Sequence, residues 1–170
     1  MTTVAWRSGV VAFDSRLTQG GDIMTEFLTK VRLSNVHPVV YAGCGSAGQF
    51  HCAGILLDQM ELLPWDNPNW QPNDNFDMED ATIMIVTAQD QVYYIEGKYW
   101  FPVEAPFCAM GSGGVAARAA MMAGATAAEA VEIACKLDTG SGLPVHTIHV
   151  NDIYARHPIL APRPKKKKNR

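Results

Sequence analysis

No stretch of this sequence approaches the roughly 18 to 20 apolar residues that a membrane helix requires, so membrane insertion is not expected. Its first residues carry neither a basic segment nor an apolar signal core and run directly into an alternating pattern, which leaves a cytoplasmic address as the expectation. Cysteine is scarce and scattered. Cys44, Cys52, Cys108 and Cys135 form no C-x-x-C pair, and reduced, mostly buried thiols fit them better than a disulfide frame or a zinc knuckle. No G-x-G-x-x-G loop is completed and no Walker lysine follows a glycine run, so a nucleotide site is not expected. His146 and His149 stand three apart in a predicted strand, on opposite faces, which argues against a shared metal. No internal repeat is visible, and neither a cofactor nor a metal is expected.

What is present is a globular composition: 170 residues, 48% hydrophobic and 18% charged, with a net charge of -3. That length supports one well-buried core and is short for two. We read one domain over residues 1–160 and a basic, disordered tail over 161–170, where Lys165, Lys166, Lys167 and Lys168 run together between Arg163 and Arg170. Such a run can meet an acidic partner or nucleic acid, but a solvated end is the simpler reading, and no nucleic-acid partner is expected.

Short β-branched and apolar runs at Thr3 to Trp6 and Gly9 to Asp14, joined by Arg7-Ser8-Gly9, read as a hairpin. Lys30 to Leu33 and Pro38 to Gly43 form a second pair across Ser34-Asn35-Val36-His37. From Ser46 to Leu62, Phe50, Ala53, Leu56, Leu57 and Met60 recur at helical spacing, with Ser46 placed as cap and Pro64 as stop. Trp65 to Asp77, crowded with Pro, Asn and Asp, reads as an irregular loop. Thr82 to Thr87 and Gln91 to Glu96 make another hairpin, and Phe107 to Met110 one more strand. An alanine-rich helix follows Gly111-Ser112-Gly113-Gly114, and Thr126-Ala127-Ala128-Glu129 has the capping-box spacing that opens a helix to about Leu137. Val145 to Val150 is the last predicted strand. Strands, helix, strands, two helices, strand: this order argues for α+β layering, with antiparallel sheets covered by helices.

Several polar residues fall at the ends of these elements. Thr2 opens the first strand, Asp14 closes the second, Lys30 begins the third, Gly45 precedes the first helix, and Ser112 stands between glycines before another. Asp138-Thr139-Gly140-Ser141-Gly142 then forms a glycine-rich turn. In this order and spacing the set resembles the proteasome β-subunit and HslV family of N-terminal-nucleophile (Ntn) threonine peptidases. Met1-Thr2-Thr3-Val4-Ala5 is similar to the family's mature start once Met1 is removed, and Lys30 follows Asp14 at the family's separation. Gly111-Ser112-Gly113-Gly114 is similar to the HslV run, whereas the turn from Asp138 to Ser141 looks more like the proteasome β-subunit equivalent. The resemblance implies a four-layer αββα sandwich of two antiparallel sheets flanked by helices. It implies a threonine endopeptidase with catalytic Thr2, Asp14, Lys30, Gly45, Ser112, Asp138 and Ser141. It also implies polypeptide substrates, a homo-oligomeric ring of about six or seven subunits, single or stacked, and an ATP-dependent unfoldase as partner.

The residue types make chemical sense together. A threonine hydroxyl is a weak nucleophile, and an N-terminal threonine carries a base in its own α-amine. A neighbouring Lys30 ammonium would lower that amine's pKa by like-charge repulsion, and Asp14 would hold the lysine in place. The Gly45 N–H is placed by resemblance as oxyanion donor, with Ser112, Asp138 and Ser141 as a hydrogen-bonded shell around the Thr2 amine. Plainer readings stand beside each role: Asp14 and Lys30 as a surface ion pair, Ser112 as a helix cap, and the glycine run as an anion cradle. A catalytically silent ring or scaffold subunit and an amidase for small amides remain open for the whole chain. One departure is visible: where the family continues with a second long helix, Pro64 to Glu79 reads as shortened or replaced.

Overall fold

The computed structural model describes residues 1–67, 69–70 and 78–156, so the basic tail and most of the expected 65–77 loop lie outside the described residues. Two antiparallel sheets form the centre. The first contains β1 (Thr3–Arg7), β2 (Val10–Asp14), β10 (Phe107–Gly111) and β11 (Val145–His149), in the order β10-β1-β2-β11. The second contains β5 (Val31–Leu33), β6 (Val39–Gly45), β7 (Met78–Thr87), β8 (Val92–Gly97) and β9 (Tyr99–Pro102), in sequence order. A separate hairpin pairs β3 (Leu17–Gln19) with β4 (Asp22–Thr25).

Strand alternation sorts the side chains into layers. Val4, Trp6, Val11, Phe13, Cys108 and Met110 of the first sheet face Val40, Ala42, Met84, Val86 and Val92 of the second and make the inner core. The intervening positions of the first sheet are small: Ala5, Ala12 and Ala109 lie against α2 (Gly114–Met122) and α3 (Ala127–Leu137), which answer with Ala117, Ala130, Val131 and Ala134. Alanine on both sides lets helix and sheet backbones approach closely. On the other flank, Val39, Tyr41, Ile83, Ile85 and Ile95 carry α1 (Ala47–Gln59) through Ala53 and Leu57. The result is the expected αββα sandwich.

Helix boundaries follow local chemistry. Ser46 caps α1 by accepting from the Gln49 N–H, and the helix ends at Gln59, short of the expected Leu62. Thr126 and Glu129 form the capping box expected for α3. Between α1 and β7 the described residues hold a 3-10 turn, Pro64–Asp66, whose Trp65 stacks on Tyr93 at 4.4 Å and meets Trp100 edge-on. Aromatic rings thus cover sheet surface beside α1. The chain end also differs from expectation: the last strand stops at His149, and Val150–Arg156 is a helix, α4. Asp152 accepts from the His149 N–H at 2.9 Å, and Ile153 is fully buried in the inner core. No helix among the described residues is long and apolar enough to cross a membrane.

The alanine layer predicts a steric limit. Ala12→Leu, fully buried between β2 and the helices, should lower the unfolding free energy by about 1–3 kcal/mol through overpacking. Chemical denaturation measures it; an unchanged midpoint would show that this layer has slack.

Candidate active site

At the mouth of the first sheet, two hydrogen-bond systems meet on Thr2 and Thr3. The first centres on Asp14, the last residue of β2, which is 0% exposed. Its Oδ1 accepts from the Thr3 N–H at 2.8 Å and from Lys30 Nζ at 2.6 Å. Its Oδ2 accepts from the Gly142 and Arg16 N–H groups at 3.0 and 3.1 Å. Four donors, one of them charged, compensate a carboxylate removed from water. Lys30 is itself only 3% exposed, so the pair is buried and the reading of a surface ion pair is set aside. Burial pushes the Lys30 pKa down, and the Asp14 hydrogen bond and charge offset this only in part.

The second system centres on Asp138, the C-cap of α3. Ser112 Oγ donates to its Oδ2 at 2.7 Å and Ser141 Oγ donates to the same oxygen at 2.6 Å. Because the Ser141 proton is committed there, the 2.7 Å contact between Thr3 Oγ1 and Ser141 Oγ has threonine as donor. Ser112 Oγ accepts from the Thr2 N–H at 3.3 Å. Desolvation raises the Asp138 pKa, but hydrogen bonds from Ser112, Ser141 and the Gly140 N–H outweigh it and hold the carboxyl below its ordinary value. The hydroxyl of Ser112 therefore serves this network. The N-cap of α2 is Gly113, without a side-chain cap, so the helix-cap reading of Ser112 does not hold.

Between the two systems runs the Met1–Thr2 peptide. Its carbonyl oxygen accepts from Lys30 Nζ at 3.2 Å, and its nitrogen is the Thr2 donor to Ser112. Thr2 is 7% exposed and borders a cleft of about 210 Å³ lined also by Lys30, Gly45, Leu17, Leu28 and Phe50. Gly45 ends β6 with φ +92°, and a Cβ there would overlap the Asp80 carbonyl oxygen of the neighbouring strand. Glycine is thus required by the fold before any ligand arrives. All seven residues singled out in the sequence, Thr2, Asp14, Lys30, Gly45, Ser112, Asp138 and Ser141, lie in these networks or on this cleft.

Sequence reasoning missed three contributors. Thr3 joins both systems, giving its N–H to Asp14 and its hydroxyl to Ser141. Gly111 has φ +89°, and a Cβ there would overlap the Thr2 carbonyl, so glycine lets β10 close on the residue after Met1. Arg16 grips Glu26 with Nε at 3.2 Å to each carboxylate oxygen and the Thr139 carbonyl with a second nitrogen at 3.0 Å. It ties the base of the β3–β4 hairpin to the turn that carries Ser141.

No family model and no curated protein matches this chain. Solved structures do. Thiobacillus denitrificans BPH is 19% identical with a TM-score of 0.63, covering 86% of this chain and 95% of that one. The same protein in complex with epoxomicin aligns at 18% identity and a TM-score of 0.62, over 86% and 96% of the two chains. Eukaryotic HslV from Trypanosoma brucei aligns at 21% identity and a TM-score of 0.65, over 87% and 98%. This chain therefore has the Ntn-hydrolase fold shared with HslV and BPH across most of its length.

The Asp14 clamp predicts a stability effect separable from any activity. Asp14→Ala leaves Lys30 buried without its partner and should cost about 3–5 kcal/mol in unfolding free energy. A loss below about 1 kcal/mol, within the range of exposed ion pairs, would contradict the burial described.

Proposed function

We propose that this chain is a threonine endopeptidase subunit of the HslV and proteasome-like kind, acting through Thr2 after the Met1–Thr2 bond is cut. The observation that carries the reading is the placement of the Thr2 nitrogen: the carbonyl bonded to it is held by Lys30 Nζ, and the nitrogen itself bonds Ser112. Freed by removal of Met1, that nitrogen is an α-amine next to a buried ammonium and a serine committed to Asp138. The ammonium lowers the amine's pKa by repulsion, which leaves more of it neutral at physiological pH.

In the mechanism the amine takes the Thr2 Oγ1 proton while Oγ1 bonds the substrate carbonyl carbon, and the carbonyl π pair moves onto oxygen. The Gly45 N–H, at the cleft wall, is the oxyanion donor; such a donor is worth roughly 2.7–4 kcal/mol where one is deleted. Collapse breaks the C–N bond, and the α-ammonium returns its proton to the leaving amine. Water, deprotonated by the same amine, then attacks the ester and frees Thr2. Ser112, Asp138 and Ser141 orient the amine through this proton traffic, and Asp14 fixes Lys30 beside it.

Intact mass of the purified protein, before and after a peptide boronate, tests the reading. The expected result is loss of Met1 and an adduct on Thr2. Thr2→Ala should abolish peptide hydrolysis with its unfolding midpoint intact, and Thr2→Ser should keep part of the rate. Retained Met1 with no adduct would instead support a silent scaffold subunit, and wild-type turnover by Thr2→Ala would overturn the mechanism.

Assembly into a homo-oligomeric ring belongs to the same proposal. It is supported by the fold and by apolar side chains left on the outer surface of α2, where Val115 is 70% and Met122 78% exposed. A ring of about twelve or fourteen subunits in two stacked layers is the closed form expected of head-to-tail contacts, and an ATP-dependent unfoldase would feed it polypeptide. Light scattering should report that mass; a fully active monomer at micromolar concentration would exclude it.

A further inference from the structure

The cleft beside Thr2 does not close at its outer end. Thr29, Phe50 and His51 line both that cleft and a second, shallower groove of about 560 Å³, which continues past Arg32 of β5 to Ile148 of β11 and Arg156 at the end of α4. Its origin is architectural. β5 and β11 are edge strands of the two sheets, and the sandwich leaves a channel between them.

The chemistry of this channel is one-sided. The chain carries 17 Asp and Glu against 14 Lys and Arg, yet among the described residues no carboxylate lines either the cleft or the groove. Lys30 is neutralised by Asp14, and Arg32 is held by Asp58 at 2.6 Å with its side chain one-third exposed. Arg156 is exposed, donates one N–H to the Leu33 carbonyl at 3.1 Å, and forms no ion pair among the described residues. Its other donors are available to a ligand.

We infer that the groove receives acidic side chains of an extended polypeptide, so that the Thr2 site favours chains carrying Glu or Asp a few residues from the bond placed at Thr2. The inference rests on the peptidase reading for its substrate but on the groove alone for its selectivity. The bond to the Leu33 carbonyl uses one N–H of the Arg156 guanidinium, and arginine is a planar fork that a glutamate carboxylate matches.

The test is fluorescence anisotropy on the Thr2→Ala protein, with a labelled Ala/Ser decapeptide carrying three Glu and its counterpart carrying three Gln. The Glu peptide should bind roughly fivefold tighter at low salt, and the ratio should fall toward one as salt is raised. Arg156→Gln should reduce the ratio and Arg156→Glu should erase or invert it. Equal affinity for the two peptides, or a Glu preference that survives Arg156→Glu, overturns the inference. Because the readout is binding, a wild-type protein that prefers the Glu peptide but cuts neither would sustain the groove and overturn the peptidase reading.

Discussion

The arrangement depends on one buried charge. Asp14 lies at zero exposure at the end of β2, and a carboxylate there is tolerable only if its lone pairs are met. The groups that meet them come from four places in the chain: the Thr3 N–H of β1, the Arg16 N–H just beyond β2, Lys30 ahead of β5, and the Gly142 N–H of the turn after α3. Compensating this charge therefore fixes the start of β1, the approach to β5 and the Asp138–Gly142 turn relative to one another. The same bonds that hold the fold together place Lys30 at the Met1 carbonyl and Ser141 at Thr3. Stability and site geometry are one constraint here.

Thr3 shows how the layers and the site share a single periodicity. Even-numbered residues of β1, Val4 and Trp6, enter the inner core, whereas Ala5 faces the helices. Thr3 has the parity of Ala5, so its side chain points to the helix side, where it reaches Ser141 and, through it, Asp138 at the end of α3. Thr2 falls on the other parity and reaches the cleft between the sheets that Gly45 and Lys30 also border. Close helix approach, permitted by the alanines on both surfaces, is what brings the C-terminus of α3 within hydrogen-bond reach of β1.

Much of this was legible in the sequence where a local signal existed. The hairpins, the Ser46 cap and the Thr126–Glu129 capping box each depend on residues within a few positions, and each gave its element within three residues, except that β7 begins at Met78, four residues before the expected Thr82. The Asp14–Lys30 pair was legible only as an ordered set resembling a known family, because periodicity does not reveal burial of a charge. The β3–β4 hairpin was passed over although Gly20-Gly21 between short runs is a turn signal. The α4 helix was missed because its start carries His149 rather than a typical capping residue, and the Asp152 bond that caps it reads as loop chemistry. Thr3 contributes through the carboxylate of Asp14 and, far along the chain, the hydroxyl of Ser141, and Gly111 through the pairing of β10 with β1; no local pattern encodes these contacts.

Charge is sorted across the site as deliberately as polarity is across the sheets. Asp14 and Asp138 stand behind Thr2, on the side of the Gly142 turn and the α3 C-terminus, and both are saturated with donors. Among the described residues, the open side, the cleft and the groove beyond it, is lined by no carboxylate. In the mechanism proposed, a negative charge developing in the cleft would face the Gly45 backbone and the Lys30 ammonium, whose own partner Asp14 lies behind with its lone pairs met. Lining the open side with a carboxylate would oppose that charge directly across a partly desolvated gap, where screening is weak. A cleft free of carboxylates among the described residues suits the chemistry proposed there, and the same lining, carried outward along β5 to Arg156, is what the inferred preference for acidic chains rests on.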